Sequence, residues 1–311
     1  MKLYRNLPIK NTFRNAVLTL GTFDGVHVGH RKIIERMKEI ARNVGGETVL
    51  LSFYPHPRHV LHTHQSTLKI ISTIDEKIQL LQETGLDNLV VIPFNPAFAA
   101  TEPEYFVRDF LSEKFNLNTL VIGYDHRFGK DRKGDFVLLS QLKDKYGFRL
   151  EQIDAQEADE ITVSSTFIRK ALIEGDLKTA NDLLGRPYLL KGKVVEGLKI
   201  GRTIGFPTAN IEVADANKLI PANGVYAVSV VIKGKKYFGM SNIGSNPTIL
   251  EKGFSIEVNI FNFVDSIYGE EIEVNFIKRF RNEEKFTNLE ELKAQLANDK
   301  IEAEKILAKV R

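Results

Sequence analysis

Two different patterns of apolar and polar positions divide the chain. Between residues 17 and about 183, short apolar runs alternate with stretches of helical periodicity, which predicts βαβ units and a parallel sheet. After Gly185-Arg186-Pro187, short extended segments are separated by Gly, Asn and Pro turns, and helical periodicity returns only from Leu289 to Val310. This second pattern predicts a small antiparallel β-barrel with a C-terminal helix. We therefore expect an α/β domain over residues 1–184 and a β domain over residues 185–311.

The elements predicted for the first domain follow one another as strand, helix, strand. Its predicted strands are Val17–Leu20, Thr48–Phe53, Asn88–Phe94, Thr119–Gly123 and Phe148–Ile153. Its predicted helices are Lys32–Arg42, Asp75–Glu83, Glu104–Phe115 and Phe136–Lys145. The strands predicted for the second domain are Leu189–Val195, Gly224–Ile232, Lys236–Ile243, Phe254–Phe263 and Glu271–Phe280. Ligands bind at the carboxyl ends of parallel strands, so the turns after residues 20, 53 and 123 are the places to search for a site.

Composition narrows the class of protein without revealing its chemistry. The 311 residues, 43% of them hydrophobic and 27% charged, fit a soluble two-domain protein. Basic and acidic side chains, 43 and 40 in number, are interspersed, so no nucleic acid partner is expected. The absence of Cys excludes disulfides, thiolate metal sites and a Cys nucleophile. With no signal-peptide pattern and no apolar run long enough to cross a bilayer, we expect a cytoplasmic protein with no membrane partner.

The strongest candidate site is the turn Gly21–His30, between the first predicted strand and the first predicted helix. Backbone N–H groups at a helix start carry partial positive charge, and Gly25 and Gly29 leave room for a polyphosphate. His27 and His30, three residues apart, are expected to face the same side of the first helical turn. The alternative is an ordinary strand-to-helix connection, and the combination of HxGH with the preceding Gly-x-Phe-Asp-Gly weakens it.

This turn resembles the HxGH nucleotidyltransferase superfamily, whose members catalyse attack on the α-phosphate of ATP with release of pyrophosphate. The resemblance implies that His27 and His30 stabilise charge on the transferring phosphoryl group and form no covalent bond with it. Positioning and positive charge are what phosphoryl transfer chiefly needs, so the implied roles agree with the chemistry. The other ATP-binding residues that the resemblance implies are Gly21, Thr22, Phe23, Asp24 and Gly29.

A second anion site is expected where Ser164, Ser165 and Thr166 begin a predicted helix and Arg169 follows one turn later. The alternative is a simple N-cap, because Ser and Thr are preferred there in any protein. Within the superfamily the segment resembles the SSTxxR element that holds the β- and γ-phosphates of ATP. The resemblance implies that the hydroxyl residues bind ATP and that Arg169 binds the leaving pyrophosphate. A guanidinium can donate two parallel hydrogen bonds to two phosphate oxygens.

A cluster of histidines after the second predicted strand has a spacing that a metal site could use. Its members are His56, His59, His62 and His64. Pro55 and Pro57 oppose a regular helix at its start, and no carboxylate or Cys completes a set of ligands. We therefore expect no dedicated transition-metal site here.

The same loop resembles part of a flavin site. The sequence FYPHP over residues 53–57 is similar to the substrate loop of bacterial flavin adenylyltransferases, and GYDHRFG over residues 123–129 is similar to another element of that family. The flavin contacts that this resemblance implies are Phe53, His56, Pro57 and Asp125. An aromatic residue is commoner in the family where this chain has His126.

The most specific feature of the second domain is GRTIGFPTANI over residues 201–211. A Gly and Pro turn between strands explains the glycines, but not a Thr and an Asn presented together beyond a fixed Pro. Flexible glycines let backbone amides approach phosphates, and a hydroxyl and an amide oxygen are suitable ligands for Mg²⁺. The stretch resembles the riboflavin kinase motif GRxxGxPTAN. The resemblance implies that Gly201, Gly205, Pro207, Thr208 and Asn210 bind ATP and that Thr208 and Asn210 also bind Mg²⁺.

One strand of the second domain carries a candidate base. A period of two places Phe254, Ile256, Val258 and Ile260 on one face and Glu257 on the other, with Ser255 and Asn259. A Glu on a polar strand face is ordinarily just solvated. Riboflavin kinases, however, carry a catalytic Glu in the similar strand, and the resemblance implies that Glu257 is the base towards the ribityl 5′-hydroxyl. Family members often read EVHIFDF here, so Asn259 and Asn262 depart from the pattern.

The two motif sets together extend the resemblance from about Val17 to Val310, to the bacterial bifunctional riboflavin kinase/FAD synthetase family. The family implies that the second domain converts riboflavin and ATP to FMN, and that the first joins FMN to AMP and releases pyrophosphate. Both steps are expected to need Mg²⁺. The expected partners are the small molecules ATP, riboflavin and FMN, and the expected assembly is a monomer or a weak homo-oligomer.

Two alternatives remain open at the level of the sequence. In one, the first domain is a degenerate regulatory module that binds flavin, although His27, His30, Ser165, Thr166 and Arg169 are all retained. In the other, the protein is a different nucleotidyltransferase whose β domain binds RNA or a partner protein. The β domain has neither a basic stripe nor an RNP-like aromatic motif, which opposes RNA binding.

Overall fold

The computed structural model describes residues 1–61, 68–123, 126–153, 164–197, 200–244 and 255–310. The chain forms two compact units. The first contains Met1–Leu68 and Lys77–Ser164, and the second contains Lys69–Glu76 and Ser165–Arg311. None of the described helices has the length and apolar character needed to cross a membrane.

A six-stranded parallel sheet forms the centre of the first unit, with strands in the order β1-β4-β3-β2-β5-β6. The strands are β1 Lys2–Tyr4, β2 Ala16–Leu20, β3 Thr48–Tyr54, β4 Asn88–Pro93, β5 Leu117–Gly123 and β6 Arg149–Ile153. All five residues of β2 are buried, as expected for a strand covered on both faces. The predicted strands and the parallel sheet are confirmed, and only the short edge strand β1 was not predicted.

Helices alternate with these strands along the chain. They are α1 Val28–Val44, α2 Pro57–Leu61, α3 Ile74–Gln82, α4 Pro96–Ala99, α5 Pro103–Tyr105, α6 Glu113–Phe115 and α7 Phe136–Tyr146, and α3 begins with residues of the second unit. The predicted helix Glu104–Phe115 consists of three pieces, because a π-helical segment, Phe106–Ser112, separates α5 from α6. The wider π turn places Phe106, Val107 and Leu111 in the core, a change of helical pitch that periodicity does not report.

The second unit contains a closed antiparallel barrel, in the order β10-β11-β8-β7-β12-β9. Its strands are β7 Tyr188–Val195, β8 Ala209–Glu212, β9 Gly224–Ile232, β10 Lys235–Gly244, β11 Ser255–Ile260 and β12 Glu271–Arg281. Its helices are α8 Ser165–Glu174, α9 Leu177–Leu184, α10 Ile200–Thr203 and α11 Leu289–Leu307. The predicted barrel and C-terminal helix are confirmed, as are the buried positions Ile256, Val258 and Ile260 of β11. Phe254 lies outside the described residues.

Helices α8 and α9 belong to the compact unit of the barrel. The Asn181 side chain of α9 donates to the backbone oxygen of Phe276 in β12 (2.9 Å) and accepts from the backbone N–H of Tyr188 in β7 (2.8 Å). The backbone N–H of Ala222 donates to the Leu172 oxygen of α8 (3.0 Å). Packing therefore divides the chain before α8, and the boundary expected at 184/185 stays a prediction.

A buried ion pair connects the short segment Lys69–Glu76 to the barrel within the second unit. The Lys218 ammonium, 0% exposed, donates to a Glu76 carboxylate oxygen (2.5 Å) and to the backbone oxygens of Ile71 (2.7 Å) and Leu189 (2.8 Å). The other Glu76 oxygen accepts from the backbone N–H of Lys191 (2.9 Å). The charges are tolerated in the interior because each is paired and hydrogen-bonded.

We expect Lys218→Met to destabilise the second unit by about 3–5 kcal/mol, because the substitution leaves the Glu76 carboxylate buried without its partner. The measurement is the urea midpoint of unfolding, followed by circular dichroism. Lys178→Met is the matched control, since the Lys178 ammonium pairs with Asp182 on an exposed helix surface. Equal midpoints for the Lys218 variant, the control and the wild type would contradict a structural role for the buried pair.

Candidate functional sites

The turn between β2 and α1 has a backbone that L-residues adopt only under constraint. Phe23, Gly25 and Val26 have φ angles of +46°, +85° and +41°. Glycine adopts such angles freely, whereas Phe and the β-branched Val are strained there. Val26 is fully buried, so its packing in the core stabilises this unfavourable backbone conformation. Non-glycine residues held in this region are concentrated at functional sites, which makes the turn a structural candidate independently of its motif.

Three aromatic rings stack at the start of α1. The His30 ring lies 3.6 Å from the His27 ring and 4.3 Å from the Phe23 ring, centroid to centroid, with interplanar angles of 18° and 20°. His27 is the N-cap of α1, and its Nδ1 accepts from the backbone N–H of His30 (3.4 Å). A Cβ on Gly21 would lie 3.2 Å from the Phe23 ring, so Gly21 leaves the space that this ring uses. The expectation that both imidazoles face one side of the turn is confirmed.

The charge on His30 is disfavoured by its surroundings. Burial lowers the pKa of His30 well below its ordinary value of 6.5, and the charges of His27 and Lys77 lower it further. Burial also lowers the pKa of Lys77, while the negative charge of Asp24 opposes this shift. His30 is therefore a neutral imidazole near pH 7 in the free protein. Because the unfolded chain binds this proton more readily, the free energy of unfolding decreases as the pH falls below 6.5.

Lys77 is a buried charge beside the candidate site that sequence reasoning did not find. Asp24, which belongs to the turn, and Lys77 are 1% and 6% exposed, and the charge of Lys77 acts on both Asp24 and His30. One signal was present in the sequence. Lys77 shares the helical spacing i, i+3, i+4 with the buried Leu80 and Leu81, which indicates the core-facing side of α3.

Three of the residues expected to contact flavin lie at the end of β3 or directly after it. The Phe53 ring packs against the rings of Phe94 and Phe98, with centroids 5.6 and 5.7 Å away. His56 Nδ1 accepts from the backbone N–H of Arg58 (3.1 Å), and Pro57 begins α2. Asp125 lies outside the described residues, so its place in the site is not tested.

The expectation of no transition-metal site in this loop concerns His56, His59, His62 and His64. Of these, His62 and His64 lie outside the described residues. The rings of His56 and His59 are 5.7 Å apart, and His59 Nε2 lies 2.9 Å from the backbone oxygen of Leu68. Among residues that the structure describes, no three His, Cys, Asp or Glu side chains are grouped so as to hold a metal ion.

The SSTxxR element has the predicted local form. Helix α8 begins at Ser165, with Ser164 before it, Thr166 in its first turn and Arg169 one turn along. Arg169 Nε donates to the backbone oxygen of Lys69 (2.7 Å). Ser164 is the last residue of the first unit, and the other three belong to the second.

The polar residues expected to act in the barrel come together around β8 and β11, with Asn242 of β10 beside them. Strand register places Glu257 of β11 between Asn210 of β8 and Asn242 of β10. The Thr208 hydroxyl donates to a Glu257 carboxylate oxygen (3.0 Å). Cross-strand partners project to the same face of a sheet, so a hydroxyl, a carboxylate and two amides line one side of the barrel wall.

Glycines give this site the space and the turn that it needs. A Cβ on Gly201 would lie 2.2 Å from the backbone oxygen of Phe206, whose N–H donates to the Gly201 oxygen (2.8 Å). Gly205 has a φ of +87°, which favours glycine. A Cβ on Gly197 would lie 2.1 Å from Asn210 Nδ2. Gly197 was missed by sequence reasoning, because the pattern of a strand end does not show which later side chain approaches it.

Gly197→Ala is expected to lower the catalytic efficiency of the barrel's activity by about 10²-fold, since a displacement of Asn210 by about 1 Å is enough for such a loss. The measurement is the initial rate of the reaction that the barrel catalyses. The reaction of the first unit, in the same preparation, is the control and should not change. An unaltered rate for the barrel would show that the Asn210 side chain is not needed in this position.

Lys77→Met is expected to raise the pKa of His30, because the variant removes one of the three causes that lower it. Burial and His27 remain, so the pKa should move only part of the way towards 6.5. The measurement is the NMR titration of the His30 Cε1–H signal, with the His59 signal as internal reference. Lys77→Arg retains the charge and should leave His30 unchanged, whereas identical titrations in Lys77→Met and the wild type would contradict the coupling.

The fold and the two sites define a class of protein. A strained, glycine-containing turn at the end of a parallel strand, followed by a helix N-terminus, has the form of a site suited to phosphate groups. A hydroxyl, an amide and a carboxylate in register on a barrel wall form a second polar site, suited to a divalent cation and to proton transfer. The chain is therefore an enzyme of the kind that transfers phosphoryl or nucleotidyl groups.

Comparison with known proteins specifies this class. The family model for FAD synthetase matches residues 9–167, and that for riboflavin kinase matches residues 184–307. A bifunctional riboflavin kinase/FMN adenylyltransferase of Bacillus subtilis is 39% identical over 308 residues, covering 97% of this chain and 96% of that protein. The Escherichia coli K12 enzyme with the same description is 37% identical over 288 residues, covering 92% and 91%.

A solved structure from Streptococcus pneumoniae, described as a macrolide-efflux protein, shares the fold. It has a TM-score of 0.82 and 33% identity, covering 94% of this chain and 97% of that one. The chain belongs to the bifunctional riboflavin kinase/FMN adenylyltransferase family. It carries a FAD synthetase domain and a riboflavin kinase domain, and it makes FAD in two steps.

Proposed function

We propose that two separate sets of side chains carry the two steps of FAD synthesis. In the first step, ATP phosphorylates riboflavin to FMN, and we assign this step to Thr208, Asn210 and Glu257. In the second, FMN receives AMP from ATP and pyrophosphate leaves, and we assign this step to His27, His30 and Arg169. The observation that carries the first assignment is the hydrogen bond from Thr208 to Glu257, beside Asn210 in strand register.

The kinase step needs a base and an electrophile held in line. We assign the base to Glu257, which accepts the proton of the ribityl 5′-hydroxyl as that oxygen bonds to the γ-phosphorus of ATP. The bond between the γ-phosphorus and the bridging oxygen breaks, and ADP leaves. Thr208 orients the carboxylate through their hydrogen bond. Gly201 and Gly205 shape the loop before Pro207. Their lack of side chains lets the backbone amides of this loop approach the phosphates of ATP.

The residues at this site fit Mg²⁺ as the required cation. Mg²⁺ is bound through oxygen, commonly by one or two protein ligands together with substrate phosphates and waters. The Thr208 hydroxyl and the Asn210 amide supply such oxygens beside the Glu257 carboxylate. Bound Mg²⁺ would neutralise the charge that develops on the β- and γ-phosphates.

The adenylyl step is assigned to groups that bind phosphate and not to a base. A phosphate oxygen of FMN attacks the α-phosphorus of ATP, and the bond to the β-phosphate oxygen breaks to release pyrophosphate. The lowered pKa makes His30 a neutral imidazole whose N–H can donate to a phosphate oxygen. The backbone amides at the start of α1 favour negative charge at the same turn. Arg169 is assigned to the leaving pyrophosphate, and Phe53, His56, Pro57 and Asp125 to the flavin.

We also propose the required metal ion, the cellular location and the oligomeric state. They are Mg²⁺ in both steps, the cytoplasm, and a monomer or weak homo-oligomer. The absence of Cys, which fits a reducing compartment, supports the second. The third follows from no structural observation and is measured by sedimentation of the purified chain.

The test of the two-site assignment is a time course of riboflavin, FMN and FAD, separated by chromatography. His30→Ala should stop at FMN, with FAD formation reduced by about 10²–10³-fold through loss of a hydrogen-bond donor to the phosphate. Glu257→Gln should make FAD only when FMN is supplied, with phosphorylation reduced by about 10²–10⁴-fold through loss of the base. Each variant is thus the control for the other.

The possible results separate the alternatives. If both variants gave the wild-type product profile, the assignment of two sites would be wrong. If the wild type made FMN but released no pyrophosphate from FMN and ATP, the first domain would be a regulatory module. If riboflavin and ATP gave no FMN and Glu257→Gln changed nothing, the barrel would have a binding function instead.

A further inference from the structure

A second side chain of β11 contacts the loop that carries Thr208. Asn259 lies two residues after Glu257 and therefore projects to the same face of the strand. It is only 8% exposed. Its Nδ2 donates to the backbone oxygen of Pro207 (2.7 Å). Pro207 is covalently joined to Thr208, so this hydrogen bond acts on the loop directly beside the hydroxyl that contacts Glu257.

The loop is thus connected to β11 by two neighbouring hydrogen bonds of different kinds. One runs from the Thr208 hydroxyl to the Glu257 carboxylate, and the other from the Asn259 amide to the Pro207 backbone. The first joins two groups that take part in the proposed reaction, the base and a cation ligand. The second involves no reacting atom and can persist throughout the reaction. A buried amide that lost this acceptor would be left unsatisfied, which holds the Asn259 side chain in place.

We propose that Asn259 is a positioning residue for the kinase step, which holds the Pro207–Thr208 backbone at the distance from β11 that Thr208 needs to meet Glu257. This inference rests on the kinase roles proposed above for Thr208 and Glu257. It requires a side-chain donor at position 259, because the acceptor is a backbone carbonyl. The family pattern EVHIFDF has His at this position, and an imidazole N–H is also a donor.

The test compares three substitutions at this position. Asn259→Leu has nearly the same size and no donor, Asn259→Asp places a carboxylate against the carbonyl, and Asn259→His restores a donor. We expect the Leu and Asp variants to lower kcat for riboflavin phosphorylation by about tenfold or more and to raise the Mg²⁺ concentration needed for half-maximal rate. We expect the His variant to recover most of both. FAD formation from supplied FMN should be unchanged in all three.

A second measurement uses the protein without nucleotide, flavin or Mg²⁺. Hydrogen–deuterium exchange of the segment 205–211 should be faster in Asn259→Leu than in the wild type and should slow again in Asn259→His. The matched control is Asn275→Leu in β12, a strand that pairs with neither β8 nor β11. The control should alter neither the exchange of this segment nor the kinase rate.

The results distinguish this inference from the kinase assignments on which it rests. Faster exchange in Asn259→Leu with a wild-type kcat and Mg²⁺ dependence would overturn the positioning role, as would a kinase defect that His does not relieve. Unchanged exchange would overturn it as well. If Glu257→Gln retained full kinase activity, the kinase assignment would fail, and the exchange data would still report whether Asn259 holds the loop.

Discussion

The second unit depends on one buried ion pair, between Lys218 and Glu76. Both side chains lie in the interior, and the ammonium also donates to two backbone oxygens. Removing charges from water is unfavourable unless every polar atom finds a partner, so this pair constrains position as well as stability. It places Lys69–Glu76, a segment from the first half of the sequence, against β7 of the barrel. The backbone of Lys69 in turn accepts from Arg169, a residue assigned to pyrophosphate.

The two sites hold their polar groups by different physical means. At the turn after β2, positive φ angles at Phe23 and Val26 and a stack of three rings fix two imidazoles, and burial keeps one of them neutral. In the barrel, strand register fixes Glu257 beside Asn210, and hydrogen bonds hold the loop that carries Thr208. A strained turn is suited to presenting backbone amides to a ligand. Strand register is suited to holding a base and oxygen ligands side by side.

The periodicity of apolar positions predicted the parallel sheet, the barrel and the C-terminal helix, because burial of apolar side chains dominates the choice of element. It failed where long-range packing decides. The short strands β1 and β8 and the placement of Lys69–Glu76 in the second unit depend on partners distant in sequence. The π-helical segment Phe106–Ser112 is a change of helical pitch that the periodicity also did not report. The motifs predicted His27, His30, Thr208 and Glu257, whereas Lys77 and Gly197 emerged only from the structure.

The sequence by itself determined the chemistry available to this protein, since residue types and their local spacing specify which groups can donate, accept or bind a cation. It also determined the order of the two domains and the family to which they are similar. Only the tertiary structure decided which atoms meet. The approach of Thr208 to Glu257 and of Asn259 to Pro207 spans about fifty residues of chain. Such contacts arise from strand register and packing, which local spacing cannot encode.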